Sequence, residues 1–384
     1  MTTPIDPNAD YFGMTVMAYD YNWGPPEAWP TALGIDANIV RSWDVWSPGD
    51  GTISYLGWGN IETAPGVYNW TALNAWIAAS QAHGAQMVYT FGNGPSFDGN
   101  NGTTPNMADF QAFVTAIVEH ANGSIKYWEG MNEFSNNGMS AATVLQMQEI
   151  IYNTVHSLDP GALVLSPTVN SSGSNASYAQ FLADGGGNYF DIAAFHGYNN
   201  DTGEGVGATA TAFQTLLTQY GINKPIWDTE WGMEAPSVLT GTTNQEAFVS
   251  TGLILQAAAG VQTEIFYSYD LNSTSGLYNS STGQLTPAGV AFETTQNWLL
   301  GATLGPVTNA NGVFTAPITL ANGAKDLLVW DANGSENFTA IPAGDGHYET
   351  TQGVTETVSS SSSGHHHSTG STVIIGITPI LFEH

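Results

Sequence analysis

The chain reads as an α/β protein, a (β/α)8 TIM barrel followed by a small all-β sandwich domain. Short strand-like segments alternate with helical ones eight times over roughly the first 300 residues. The strands are apolar along their length, as in a parallel sheet covered on both faces. Beyond residue 300 no amphipathic helix remains, and strand-like runs are separated by Asn-Gly, Pro and Gly turns. The expected division is a catalytic barrel over residues 1–300 and an accessory β-sandwich over 301–384.

The first strand is expected over 13–19 and the second over 38–43. An aromatic, Gly-rich loop follows, through Trp46, Tyr55, Trp58 and Tyr68. Thr71 caps a helix over 72–82, with Leu73, Trp76 and Ile77 on its apolar face, and Gly84 ends it. A strand at 86–91 breaks at Gly92-Asn93-Gly94-Pro95. A helix at 107–120, with Phe110, Phe113 and Ile117 in register, leads into the strand that ends at Glu133. Helices at 141–156, 178–183, 208–220 and 244–259 lead to strands at 162–166, 190–196, 225–231 and 263–269. A helix at 288–299 closes the series. No Gly-rich dinucleotide or P-loop pattern follows the first strand, which opposes a doubly wound nucleotide-binding sheet. In the second domain the strand-like runs are 313–315, 326–330, 336–340 and 372–381.

The net charge of −29 arises because only 4 residues are Lys or Arg against 33 Asp or Glu. A polyanion needs a basic footprint, so nucleic acid is excluded as a partner, and anionic membranes are disfavoured. In acid, protonated carboxylates leave few positive charges, so tolerance of acidic media is expected. Cysteine is absent, so no disulfide reports on the compartment. No apolar run is long enough to span a membrane, so no membrane insertion is expected. The first residues, Met1-Thr2-Thr3-Pro4, lack signal-peptide architecture and fit a mature end with an added Met or a cytosolic start. A Lys-poor surface rich in Gly, Asn, Ser and Thr favours a secreted, extracellular location. N-glycans are possible at Asn69, Asn170, Asn272 and Asn337 in a host that glycosylates. His365-His367 sit in a low-complexity loop without a carboxylate or Cys partner, a poor metal site.

Two stretches carry the chemistry. Tyr127-Trp128-Glu129-Gly130-Met131-Asn132-Glu133 is a strand ending on an Asn-Glu pair, and Pro225-Ile226-Trp227-Asp228-Thr229-Glu230-Trp231 is another ending on Glu. Paired carboxylates at strand ends supply the acid/base and the nucleophile of a glycosidase. With His196 and Tyr198 ending the strand between them, and the segment 61–70 before the first long helix, the barrel resembles a clan A glycoside hydrolase near families 5 and 39. The resemblance implies Glu133 as general acid/base and Glu230 as nucleophile, with retention of configuration. Retention asks for carboxyls about 5 Å apart, and repulsion from ionised Glu230 is expected to raise the pKa of Glu133.

Substrate-binding roles are expected for Arg41, Asn132, His196, Tyr198, Trp231 and Tyr269. Asn132 would meet the sugar 2-hydroxyl, Tyr198 would bond Glu230, and His196 would touch the sugar or orient Glu133. Arg41 would pair with Glu129 or organise the site. Trp46, Trp58 and Phe97 are further candidates for stacking on sugar rings, and Asp228 is a rival nucleophile. Many relatives place a Trp at the mouth of the last strand, where this chain has Tyr267-Ser268-Tyr269-Asp270. The expected activity is hydrolysis of β-glycosidic bonds in a neutral polysaccharide or oligosaccharide, with no metal and no cofactor. Acidic polymers are disfavoured by the surface charge. A non-catalytic glycan-binding or fibre/matrix assembly protein, or a transglycosylase, are the alternatives.

Overall fold

The computed structural model describes residues 10–17, 28–42, 56–98, 103–169, 175–198, 202–233, 241–270, 276–342, 346–358 and 371–383. Trp46, Tyr55, Asn170, Asn272 and His365-His367 lie outside the described residues. Eight parallel strands form the barrel: β1 (Phe12–Thr15), β2 (Ile39–Arg41), β3 (Gln86–Thr90), β4 (Tyr127–Glu129), β5 (Leu163–Leu165), β6 (Ala193–His196), β7 (Ile226–Trp231) and β8 (Thr263–Phe266). Their order is β5-β4-β3-β2-β1-β8-β7-β6, and a parallel bridge between Leu165 and Ile192 joins the two edges.

Seven helices alternate with these strands: α1 (Thr71–Ala82), α2 (Met107–Ala121), α3 (Ala141–Leu158), α4 (Asn175–Ala183), α5 (Gly203–Gln219), α6 (Thr242–Ala258) and α7 (Pro287–Leu299). Local signals explain several starts. Asn106, Ser140, Thr202 and Thr286 each accept a backbone N–H of the first turn, and Pro287 begins α7. Thr71 does not cap α1 as expected; it is the first helical residue, and Asn69 Oδ1 accepts its N–H at 3.2 Å. Among the described residues, the connection from β1 to β2 carries only a short 3-10 turn, Pro30–Leu33.

The strands bury both faces. Ile39, Val88, Tyr127, Leu165, Ile192, Ala194, Trp227 and Ile265 fill the barrel interior, with the Tyr127 and Trp227 rings 4.7 Å apart. Their sequence neighbours, such as Val40, Met87, Trp128, Val164 and Phe266, face the helices in a second, larger core. Gly130 lets α3 approach the end of β4: an added Cβ would lie 2.1 Å from Gln148 Oε1, whose Nε2 donates to the Leu165 carbonyl at 3.0 Å.

The C-terminal part is an antiparallel seven-stranded sheet of β9 (Thr303–Leu304), β10 (Thr308–Ala310), β11 (Val313–Thr319), β12 (Lys325–Asp331), β14 (His347–Thr350), β15 (Thr355–Thr357) and β17 (Ile380–Phe382). The ribbon of β13 (Ser335–Phe338) and β16 (Val373–Gly376) covers its outer face. Between them pack Val329, Phe338, Val373, Ile375, Ile380 and Phe382. The alternate residues Leu328 and Trp330, with Ala316, Ile318 and Leu381, turn the other way into the barrel's own core. Trp330 Nε1 donates to Glu204 on α5 at 2.8 Å, and Trp298 Nε1 on α7 donates to Glu349 at 2.7 Å. The sandwich is therefore lopsided, and its larger sheet shares one hydrophobic core with the barrel.

Candidate active site

The C-terminal ends of β2, β3, β4, β6 and β7 converge on one guanidinium. Arg41, at the end of β2, is fully buried. Its Nε donates to Glu129 Oε2 at 2.6 Å, Nη1 to Glu230 Oε2 at 2.7 Å and Nη2 to Asn132 Oδ1 at 2.8 Å. Thr90, at the end of β3, donates to the same Glu129 oxygen at 2.7 Å. Burial alone would weaken Arg41 as a cation, but the Glu129 and Glu230 carboxylates outweigh it and hold it protonated.

Glu133 stands just beyond β4 with φ at +37°, a left-handed conformation rare for a side chain of this kind. Its N–H donates to Thr168 Oγ1 at 3.0 Å, which supports the turn. Glu133 Oε1 lies 2.9 Å from His196 Nδ1, and Oε2 accepts from Asn136 Nδ2 at 3.2 Å. His196 Nε2 faces Arg41 Nη2 at 3.5 Å. Because Arg has donors only, Nε2 is an acceptor there and the ring proton sits on Nδ1, toward Glu133. Glu230 Oε1 accepts from the Tyr198 hydroxyl at 2.7 Å. One oxygen of each Glu and one His196 ring nitrogen all lie within 4.8 Å of one another. These three are metal-ligating types, yet Arg41 already donates to Glu230 beside them, and a divalent cation would face that fixed charge.

Two nearly buried carboxylates at this separation, each with its own donors, form a glycosidase-like constellation. Residues 62–292 match the profile of the glycosyl hydrolase catalytic core. The chain belongs to that family. No curated protein matches. Among solved structures, this glycosyl hydrolase is similar to a family 39 glycoside hydrolase from Bacteroides cellulosilyticus, with a TM-score of 0.76 at 15% identity over 99% of this chain and 82% of that one. It is similar to a glucosidase from Croceicoccus marinus, with a TM-score of 0.64 at 16% identity over 99% and 97% of the two chains. A third is xylanase 10B from Thermotoga petrophila, with a TM-score of 0.55 at 15% identity over 78% and 98%. At such identities the likeness shows the fold alone.

The electrostatics of this glycosyl hydrolase differ in one respect from expectation. Burial raises the pKa of Glu133, but the hydrogen bond from His196, the Asn136 amide and the Arg41 charge outweigh it, and the net direction is downward. The expected upward push from Glu230 does not prevail, because Arg41 stands against Glu230. The Tyr198 phenol is pushed well up by burial and then by the Glu230 charge, so it remains a donor.

Several expected contacts are not made. Trp231 is buried on the helix side of β7, packed on Phe248 and Phe266, with Nε1 donating to Glu264. Tyr269 is also buried, stacked on Tyr278 at 5.1 Å with its hydroxyl on the Ala28 carbonyl. Neither can reach a sugar. Trp58 is enclosed by Phe110 and Phe113 and donates to Glu62 at 2.6 Å, so it is packing too. Arg41 lies beneath the carboxylates and acts on substrate through them rather than by touch. Phe97, 38% exposed in the turn after β3, remains open to solvent. The residue at the mouth of β8 is Tyr267, half-buried and near Tyr198. Strand alternation from inward-facing Ile265 points to it and to Tyr269 alike, whereas Thr90, Asn136 and Thr168 carry no signal beyond polarity.

Asp228 is set apart from Glu133. Trp227 faces the interior and Trp231 the helices, although strict alternation would put both on one face. The register of β6 against β7 shifts between Phe195 opposite Asp228 and His196 opposite Glu230, and this bulge turns Glu230 inward. Asp228 is left on the far side with its Oδ1 on the Gly197 N–H at 2.8 Å, which overturns it as a rival nucleophile. Burial pushes the carboxyls of Asp228 and Glu264 well up. With folded pKa values above the unfolded ones, they remove stability as pH rises past the ordinary carboxylate range. Glu133 has the opposite sign: its contribution is present above that range and lost as pH falls through its depressed value. Glu133 titrates below that window, so the two raised carboxyls decide it, and the melting temperature is expected to be higher at about pH 5 than at about pH 8. A Tm at about pH 8 equal to or above that at about pH 5 in a fluorimetric melt series contradicts this.

Proposed function

We propose that this glycosyl hydrolase is a secreted, retaining β-glycosidase of neutral polysaccharides or oligosaccharides, with Glu133 as acid/base and Glu230 as nucleophile. The observation that carries the reading is the approach of the Glu133 and Glu230 carboxyl oxygens to within 4.8 Å. That separation suits direct attack and leaves no room for the water an inverting enzyme needs. Arg41 and Tyr198 fix the two Glu230 oxygens, so one lone pair can be aimed at the anomeric carbon. In the first step Glu230 bonds to that carbon while the glycosidic C–O bond breaks, and the Glu133 proton goes to the leaving oxygen. In the second, water attacks the anomeric carbon, the bond from that carbon to Glu230 breaks to release the carboxylate, and the water's proton goes to Glu133. Asn132 commits its amide oxygen to Arg41, which leaves its NH2 for the sugar 2-hydroxyl, a contact that tightens in the transition state. The glucosidase and xylanase among the similar structures bear the names of neutral sugars, in keeping with the substrate class. The Lys-poor, acidic surface supports export and opposes anionic substrates.

Incubation with 2-deoxy-2-fluoro glycosides of the gluco, xylo, manno and galacto series tests the reading by intact mass spectrometry. A sugar-sized mass gain that maps to Glu230, absent in Glu230→Gln, is expected. A product whose anomeric NMR signal appears first in the inverted configuration would reject retention.

A further inference from the structure

Asp228 is a fully buried carboxyl beside the site that the mechanism does not use. Its Oδ1 accepts the Gly197 N–H at 2.8 Å, and the same N–H reaches the Glu230 carbonyl at 3.0 Å. On its own strand, the Glu230 N–H also bears on this carboxyl. A β-bulge strips backbone N–H groups from the ladder, and a buried N–H without an acceptor is costly. Asp228 supplies a second acceptor for the Gly197 N–H and one for the Glu230 N–H at the bulge that turns Glu230 inward. Gly197 lies between His196, which bonds Glu133, and Tyr198, which bonds Glu230. A Cβ on Gly197 would fall 1.9 Å from Asp228 Oδ2, so the fit between the two strands at this point admits glycine only.

We propose that Asp228 is a positioning residue whose buried carboxyl pins the β6–β7 bulge, and through it the side chains of His196, Tyr198 and Glu230. The role rests on the reading of Glu133 and Glu230 as the catalytic pair. What the bulge needs is an acceptor, and an amide oxygen provides one as well as a carboxyl does. Burial and the nearby Glu264 charge favour the protonated acid, for which Asn is close to an isostere. The role is thus met by Asn and lost with Ala.

The test compares Asp228→Asn with Asp228→Ala, using whichever glycoside wild type turns over. Asp228→Asn is expected within about threefold of wild type in kcat with an unmoved pH profile, and Asp228→Ala about a hundredfold lower in kcat with KM nearly constant. Imidazole nitrogen NMR shifts of His196 should be native in the first variant and displaced in the second, which reads the Glu133 contact without turnover. If Asp228→Ala fails to fold, Asp228→Ser, whose hydroxyl is too short for the bond, takes its place. Equal loss in both variants, or a native His196 signal and kcat in the alanine variant, overturns the proposal. If wild type labels and turns over nothing, the glycosidase reading fails by itself, and the His196 signals alone decide whether Asp228 holds the bulge.

Discussion

Arg41→Met is expected to destabilise the protein by about 3–5 kcal/mol and to abolish turnover, the usual penalty for stranding a buried charge. Arg41 is one of only 4 basic residues, and its guanidinium meets Glu129, Glu230 and Asn132 at once. Without it, two buried carboxylates face each other with no cation between them, and one must take up a proton or the site must open. Lys is a poor substitute, because a single ammonium cannot span three acceptors on three directions. Adding Glu129→Gln to Arg41→Met should restore part of the stability, since one stranded charge is gone, but none of the activity, since Glu230 keeps only Tyr198 and still lacks its cation. Urea unfolding of the single and double variants measures both effects. A loss below about 1 kcal/mol for Arg41→Met would show that the pair is solvated rather than buried.

Glu133→Gln should lower kcat by about a thousandfold on substrates with poor leaving groups, within the range for general acid–base catalysis. On activated aryl glycosides the first step needs no acid, so the glycosyl-enzyme should form and then accumulate. A mass spectrum of the mixture at steady state reads this directly. The pH dependence follows from the same residue. The proton donor must be protonated, and the His196 contact holds Glu133 below its ordinary range, so activity falls as pH rises through that depressed value. The alkaline limb of kcat/KM is therefore expected on the acid side of the usual carboxylate range. His196→Leu removes the donor while leaving burial in place, so Glu133 should titrate higher and the limb should move to higher pH. A limb that stays fixed or moves down would mean that His196 does not set the proton affinity.

Much of the barrel was legible because its signals are local. Apolar strands, helix caps and the alternation of the two are written in runs of a few residues, and the two strand-end Glu are read the same way. The Arg41–Glu129 pair was legible too: both sit inward on barrel strands, and few other charges are available. Asp228 is a rival nucleophile only by counting alternate residues from Glu230, and a bulge shifts that count by one without any mark in the sequence. Trp231, next to Glu230, turns to the helices as alternation itself requires. Tyr267 and Tyr269 share the alternation of Ile265, but the strand ends at Phe266, and beyond it the count no longer says which ring faces the site. The direction of the Glu133 shift depends on what stands between two carboxylates, and that is fixed by side chains from β2 and β6, distant in sequence.

The way Leu328 and Trp330 insert into the barrel's core has a consequence for how this chain can be cut. A sheet that merely rides on a catalytic body can be shed, exchanged or duplicated by recombination, and its loss leaves the body intact. Here removal of the sheet would uncover an apolar surface, strand Glu204 and Trp298 without their partners, and invite aggregation of the remainder. Calorimetry should then record one melting transition for the whole chain.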